Sequence, residues 1–355
     1  MVPSGEKSRV RIVVRADASV EIGMGHVMRC IAFAGRMRTR GASVRFVCRE
    51  QQGHLLDALA ARGFGTVRLP GTAAWTQLDD AALTRRHLAS RGGSADVLVV
   101  DHYMLDEQWE GEIRPYTGRI VVIDDLGNRR HDCDVLIDPN LHDSAETRYA
   151  GLVPAGGRVF VGPRYAPLRE EFDDTSPQMR VSGLRRLLVF MGGSDSTGEA
   201  LKVVRALREL EAEGPETILI TGPINPRVAE IRLAAERVPS LTVIESTHEM
   251  ARLIAWADVG VGTCGIAAWE RCALGLPALV VITAPNQRDD ARLLHAIGAV
   301  RNLGESSEAT VDRWIEAIGD LQRKPAEVGR MSTAAATVME GWREARRELE
   351  MACWE

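Results

Sequence analysis

The sequence predicts an α/β protein of two domains, each a parallel sheet with helices packed on both faces. Three observations carry this expectation. Apolar, β-branched runs alternate with helical periodicity along the chain. Glycine turns stand where strand patterns give way to helix patterns. The length, 355 residues, exceeds what one ordinary hydrophobic core accommodates.

Taken in order, Val10-Arg-Ile-Val-Val-Arg15 reads as a buried parallel strand, and Gly23-Met-Gly25 as the turn behind it. A helix follows, with apolar residues at helical spacing from Val27 to Arg40. Further strands are expected at residues 43–48, 66–69, 96–101, 119–124 and 135–138. Pro163, Pro167 and Pro177, among acidic residues, then break the rhythm. The first domain is therefore assigned to residues 1–165, a linker to 166–180 and the second domain to 181–355. The second domain opens with the strand Arg185-Arg-Leu-Leu-Val-Phe-Met191, which runs into Gly192-Gly-Ser-Asp-Ser-Thr197. Strands near 217–221, 241–244, 258–262 and 278–282 continue it. From Thr310 onward the chain is charged and helical, with Trp314 and Trp342 as packing anchors.

Composition narrows the function classes. Hydrophobic residues at 45% and charged residues at 26% are values of a soluble globular protein. A net charge of −5 provides no basic field for a nucleic-acid backbone, so an anionic ligand must be held by local amides and a few cations. The six cysteines form no C-x-x-C and no zinc spacing, and are expected as reduced thiols in a cytoplasm. Residues 1–8 lack an apolar leader, and no run is long enough to span a bilayer.

The chemistry concentrates at the turns. His26 follows Gly23 and Gly25 where the first strand meets its helix. The helix dipole there disfavours an imidazolium, which suits a general base. A glycine pair at such a turn also serves simply to bend the chain, and the third glycine of the dinucleotide fingerprint is missing, which argues against a nicotinamide dehydrogenase. Asp101-His102-Tyr103 and Asp124-Asp125 end later strands and should face the same rim. In the second half, Gly262-Thr-Cys264-Gly265 turns into a helix carrying Glu270. That carboxylate suits a ribose diol, or merely the helix dipole. Asn286 and Gln287 read as donors to a diphosphate or as a plain cap, and Gly193-Ser194-Asp195 has the same double meaning. Asp132, Asp134 and Asp138 alternate along a strand without forming a metal cage.

Together these motifs resemble a known family, the nucleotide-sugar hydrolases of pseudaminic acid biosynthesis and the related spore-coat polysaccharide proteins. The resemblance spans residues 10–304 and rests on Arg15-Ala-Asp17, Gly23-Met-Gly-His-Val-Met-Arg29, Val100-Asp-His-Tyr103, Ile123-Asp-Asp-Leu126, His131-Asp-Cys-Asp134, Gly192-Gly-Ser-Asp195, Trp269-Glu-Arg-Cys272, Gly275-Leu-Pro277 and Asn286-Gln287. It implies the GT-B fold, two Rossmann-like parallel-sheet domains facing across a cleft, similar to the glycosyltransferase that builds lipid II. It further implies a UDP-sugar substrate, no cofactor and no metal, with His26 deprotonating the water that attacks the anomeric carbon. Glu270 would bind the uridine ribose. Gly193, Ser194, Cys264 and Gly265 would hold the diphosphate, supported by Asn286 and Gln287. Gly23, Gly25, Asp17 and Tyr103 are assigned to the substrate beside His26. The chain reads Thr263-Cys-Gly-Ile-Ala-Ala268 where family members often carry hydroxyl residues, so the sugar is not specified. Transfer to a small amine, nucleobase or alcohol instead of water is the alternative reading.

Overall fold

The computed structural model describes residues 9–71, 74–90, 94–210 and 213–354, so the expectation for residues 1–8 lies outside the described residues. The chain divides into two compact units. One takes Met1–Pro139, Glu146–Val161 and Arg347–Glu355; the other takes Asn140–Ala145 and Gly162–Arg346.

In the first unit the elements run β1 (Arg11–Ala16), α1 (Gly25–Thr39), β2 (Ser43–Arg49), α2 (Leu56–Ala61), β3 (Gly65–Leu69), α3 (Gln77–Ser90), β4 (Ala95–Asp101), α4 (Glu107–Ile113), β5 (Thr117–Ile123), β6 (Val135–Asp138) and β7 (Arg158–Val161). The strands form one parallel sheet in the order β3-β2-β1-β4-β5-β6-β7. Because helices cover both faces, the inner strands are apolar on both sides: β5 buries Ile120 to Ile123 without alternation. Trp109 and Ile113 of α4 pack in the same core as Val13, Leu98 and Val122, each such burial contributing about 1.5–3 kcal/mol.

This core also holds charges. Arg15, fully buried, donates to Asp17 (2.6 and 2.8 Å) and to Asp80 (3.0 and 2.7 Å). Asp80 also accepts from Arg49 and from the Trp109 indole. Removing one member of such a buried set costs about 3–5 kcal/mol, since the partner is left charged in low dielectric.

The second unit runs β8 (Arg186–Phe190), α5 (Glu199–Leu210), β9 (Glu216–Ile220), α6 (Val228–Ala235), β10 (Leu241–Ile244), α7 (Met250–Trp256), β11 (Val259–Gly262), α8 (Ile266–Ala273), β12 (Ala278–Ile282), α9 (Arg288–Ile297), β13 (Val300–Glu305), α10 (Val311–Arg323) and α11 (Pro325–Val338), and continues into α12 (Trp342–Trp354). Its parallel sheet, β10-β9-β8-β11-β12-β13, is sandwiched by two apolar clusters, one containing Trp269 and Trp342 and the other Trp314.

Three expectations need correcting. Residues 166–180 are no free linker: Leu168 and Phe172 are fully buried in the second core, and Arg180 donates to the carbonyls of Ile254, Ala257, Leu274 and Gln178. The last nine residues, 347–355, belong to the first unit. There Glu350 pairs with Arg36 (2.6 Å) and Arg40 (2.6 Å), and Arg119 donates to the Ala352 carbonyl. Finally, β7 and β13 lie outside the expected strands: both are edge strands and only partly buried, so their patterns are weaker than those of the inner strands. All six cysteines are buried and free.

Candidate active site

In open parallel sheets, ligands bind beyond the carboxyl ends of neighbouring strands whose connections leave in opposite directions. In the first unit those strands are β1 and β4, and their register sets Ala16 beside Asp101. The chain then turns through a tight loop, Gly23 N donating to the Ser19 carbonyl (2.9 Å) and Ile22 N to Ser19 Oγ (3.1 Å). Gly23 adopts a φ of 75°, open to glycine at no steric cost. No side chain caps α1, and His26 stands in its first turn.

His26 is anchored from below. Its Nδ1 lies 2.5 Å from Asp101 Oδ1, at the end of β4. Arg29, one helical turn on, donates Nε to Asp101 Oδ2 (2.6 Å), Nη2 to Oδ1 (2.7 Å) and Nη1 to Asp125 (2.8 Å). Burial works to raise the Asp101 carboxyl's pKa, but the charge and hydrogen bonds of Arg29 and His26 outweigh it and hold it well below the ordinary carboxylate range. An acceptor that stays ionised fixes the tautomer with hydrogen on Nδ1. Among the described residues Nε2 makes no hydrogen bond, and the ring borders a cavity of about 480 Å³.

Tyr103 packs its ring edge-on to His26 at 4.4 Å between centroids, and its hydroxyl bonds Asp125. Burial, then Asp125, pushes the Tyr103 phenol's pKa up, so it remains a neutral donor. Ser19, Glu21, Gln51, Trp75 and His102 also line the cavity. Asp17, expected against substrate, is 1% exposed, with its oxygens occupied by Arg15 and the Arg49 amide. It sits behind His102, whose Nε2 lies 3.3 Å away and whose Nδ1 accepts from Met104 N. Sequence reasoning placed His102 on the rim but did not assign it to the site; the D-H-Y string at a strand end was the available signal.

In the second unit the equivalent neighbours are β8 and β11, with Phe190 registered against Gly262. Gly193 and Ser194 lie in the turn after β8. Asp195, at a φ of 43°, caps α5 by accepting from Glu199 N (2.8 Å) and Ala200 N (3.0 Å). That helix start is thus already occupied by a carboxylate. After β11, Cys264 is buried and its thiol pushed up to about 12 by burial, so only its backbone could face a ligand. Gly265 precedes α8 with no side-chain cap, and a Cβ there would meet nothing within 4 Å.

Glu270 is held by a residue that the sequence reading missed. Arg169 donates Nε and Nη2 to its two oxygens, each at 2.8 Å, and reaches Glu171 at 3.1 Å. Nothing in the proline-rich stretch signalled this pairing. Gln287 Oε1 accepts from Thr283 N (3.1 Å) and Oγ1 (3.2 Å), bracing the loop before α9, and Asn286 sits beside it in the same turn. Asp132 and Asp134 pair with Arg114, and Asp138 with Arg148, so each carboxylate has a cation. Among the described residues no helix is long and apolar enough to cross a membrane.

Residues 187–345 match the model of the glycosyltransferase family 28 C-terminal domain. The fold is also that of MurG from Acinetobacter baumannii, with a TM-score of 0.66 at 14% identity, covering 97% of this chain and 99% of that one. The chain therefore has the GT-B fold, with two parallel-sheet units. It is 22% identical over 298 residues to spore coat polysaccharide biosynthesis protein SpsG of Bacillus subtilis, covering 83% of this chain and 84% of the relative. It is 24% identical over 248 residues to the UDP-2,4-diacetamido-2,4,6-trideoxy-beta-L-altropyranose hydrolase of Campylobacter jejuni, covering 69% and 81%. The chain is similar to both relatives over most of its length.

Proposed function

We propose that this enzyme cleaves the glycosyl C–O bond of a UDP-activated sugar by hydrolysis, with His26 as general base. The observation that carries the reading is the arrangement of one imidazole. Its Nδ1 is committed to an ionised carboxylate, and its Nε2 is unengaged on the rim of a cavity. In the reaction, a water held at Nε2 gives its proton to the imidazole as its oxygen bonds the anomeric carbon. The C–O bond opposite breaks, and its electron pair leaves with the β-phosphate as UDP. Asp101 stabilises the imidazolium so formed, and Tyr103 supports the ring. Attack from the face opposite the leaving group inverts the anomeric centre. Taken by itself, the second unit would bind the nucleotide: Glu270 would accept from ribose hydroxyls, and the amides at the start of α8 would hold a diphosphate. This scheme calls on no cofactor or metal.

The likeness of residues 187–345 to a glycosyltransferase domain supports a second reading, transfer of the sugar to a small acceptor through the same base. Both are tested by following UDP release from a panel of UDP-sugars in ¹⁸O-water, with and without amine, nucleobase and alcohol acceptors. Hydrolysis places the label in the released sugar. Release that waits for an acceptor supports transfer, and label in UDP rules out attack at carbon. His26→Ala should lose turnover by about 10²–10⁴-fold while retaining UDP affinity. Equal turnover of variant and wild type would remove His26 from the mechanism.

A further inference from the structure

Arg271 lies in the second turn of α8, 4% exposed. Its side chain runs back toward the helix start, as side chains on a helix do, and lies over β11. A Cβ at Gly260 would come within 2.7 Å of its Cδ, and one at Gly262 within 2.7 Å of its Nη1. Glycine weakens a strand interior; in this strand, two of them leave the trough that the arginine fills. The guanidinium is poorly compensated there. Nη2 donates to the Thr263 carbonyl (2.7 Å), Nε has no partner, and among the described residues no carboxylate lies within 4.0 Å. Arg180, the comparable buried arginine of this unit, donates instead to four carbonyls. A buried cation without a counter-charge costs several kcal/mol, a cost that an arriving anion would offset.

We propose that Arg271 is the fixed positive charge of an anion site at the uncapped start of α8, and that its ligand is the diphosphate of a nucleoside diphosphate. This rests on the UDP reading above and assigns its phosphate-binding charge. Arg271 is a positioning residue: it acts through the Thr263 peptide. Pulling on that carbonyl polarises the peptide and strengthens the Cys264 N–H as a donor, while the open space at Gly265 lets an anion approach.

The experiment is calorimetric titration of UDP and of uridine into wild type, Arg271→Met and Arg271→Lys, with the melting temperature of each. Arg271→Met should lose at least about 10-fold in UDP affinity and less than about 2-fold in uridine affinity. Its melting temperature should not fall, because an uncompensated charge has been removed. Arg271→Lys should keep UDP affinity within about 3-fold of wild type. Parallel loss of UDP and uridine, or a lysine variant as impaired as the methionine one, would overturn the proposal. Should Arg271→Met not fold, Arg271→Gln replaces it, and failure of both neutral variants would assign the residue to the fold alone. Wild type that binds neither ligand would sink the nucleotide reading itself, an outcome distinct from the rest.

Discussion

Asp101 accepts from the His26 imidazole on Oδ1 and from the Arg29 guanidinium on both oxygens, all within 2.7 Å. One carboxylate thereby orients both the ring and the cation. Asp101→Asn should leave the fold intact but let the amide select the wrong tautomer. The expected loss in kcat is about 10³-fold, with KM changed by less than about 3-fold. Steady-state kinetics of the variant, beside its melting temperature, make the check; a KM effect equal to the kcat effect would mean that Asp101 shapes binding instead.

Arg169 grips both oxygens of Glu270, so the two should behave as one element. Arg169→Ala and Glu270→Ala should each raise KM by about 10-fold with a smaller effect on kcat, and the double variant should be no worse than Glu270→Ala alone. Additive losses in that double-mutant cycle would show that Arg169 contacts the substrate independently.

Asp195 carries a pH signature. Burial raises its pKa from 3.8 to about 6, against the hydrogen bonds from the Ala200 and Glu199 amides. Since the folded value lies above the unfolded one, its contribution is fully present below about pH 4 and lost as pH rises through about 6. Above that point the ionised group costs the fold roughly 3 kcal/mol. Asp195→Asn, which keeps an acceptor for the cap, should raise Tm by a few degrees at pH 8 and by nothing at pH 4. Thermal melts across that range provide the measurement, and a shift independent of pH would refute the assignment.

Much of this molecule was readable from local pattern. The strands before His26, Tyr103 and Cys264 are apolar on both faces, and the glycine turns behind them follow from backbone sterics. What escaped the sequence depends on contacts between distant residues. Asp17 and Arg15 are two residues apart, yet Asp80, 65 residues beyond Arg15, completes their network and removes Asp17 from any substrate. Arg169 meets Glu270 across 101 residues, inside a segment whose prolines suggested a linker. Proline content reports where regular structure stops, and says nothing of whether the irregular chain is packed. His102 was visible as a residue, but its role needed Asp17, Met104 N and the cavity wall together.

The buried thiols give each unit an internal clock. Cys30, Cys48, Cys133 and Cys353 belong to the first, and Cys264 and Cys272 to the second. None can meet an alkylating reagent until its surroundings open, so the order in which the six are tagged traces which half breathes first, without any introduced probe.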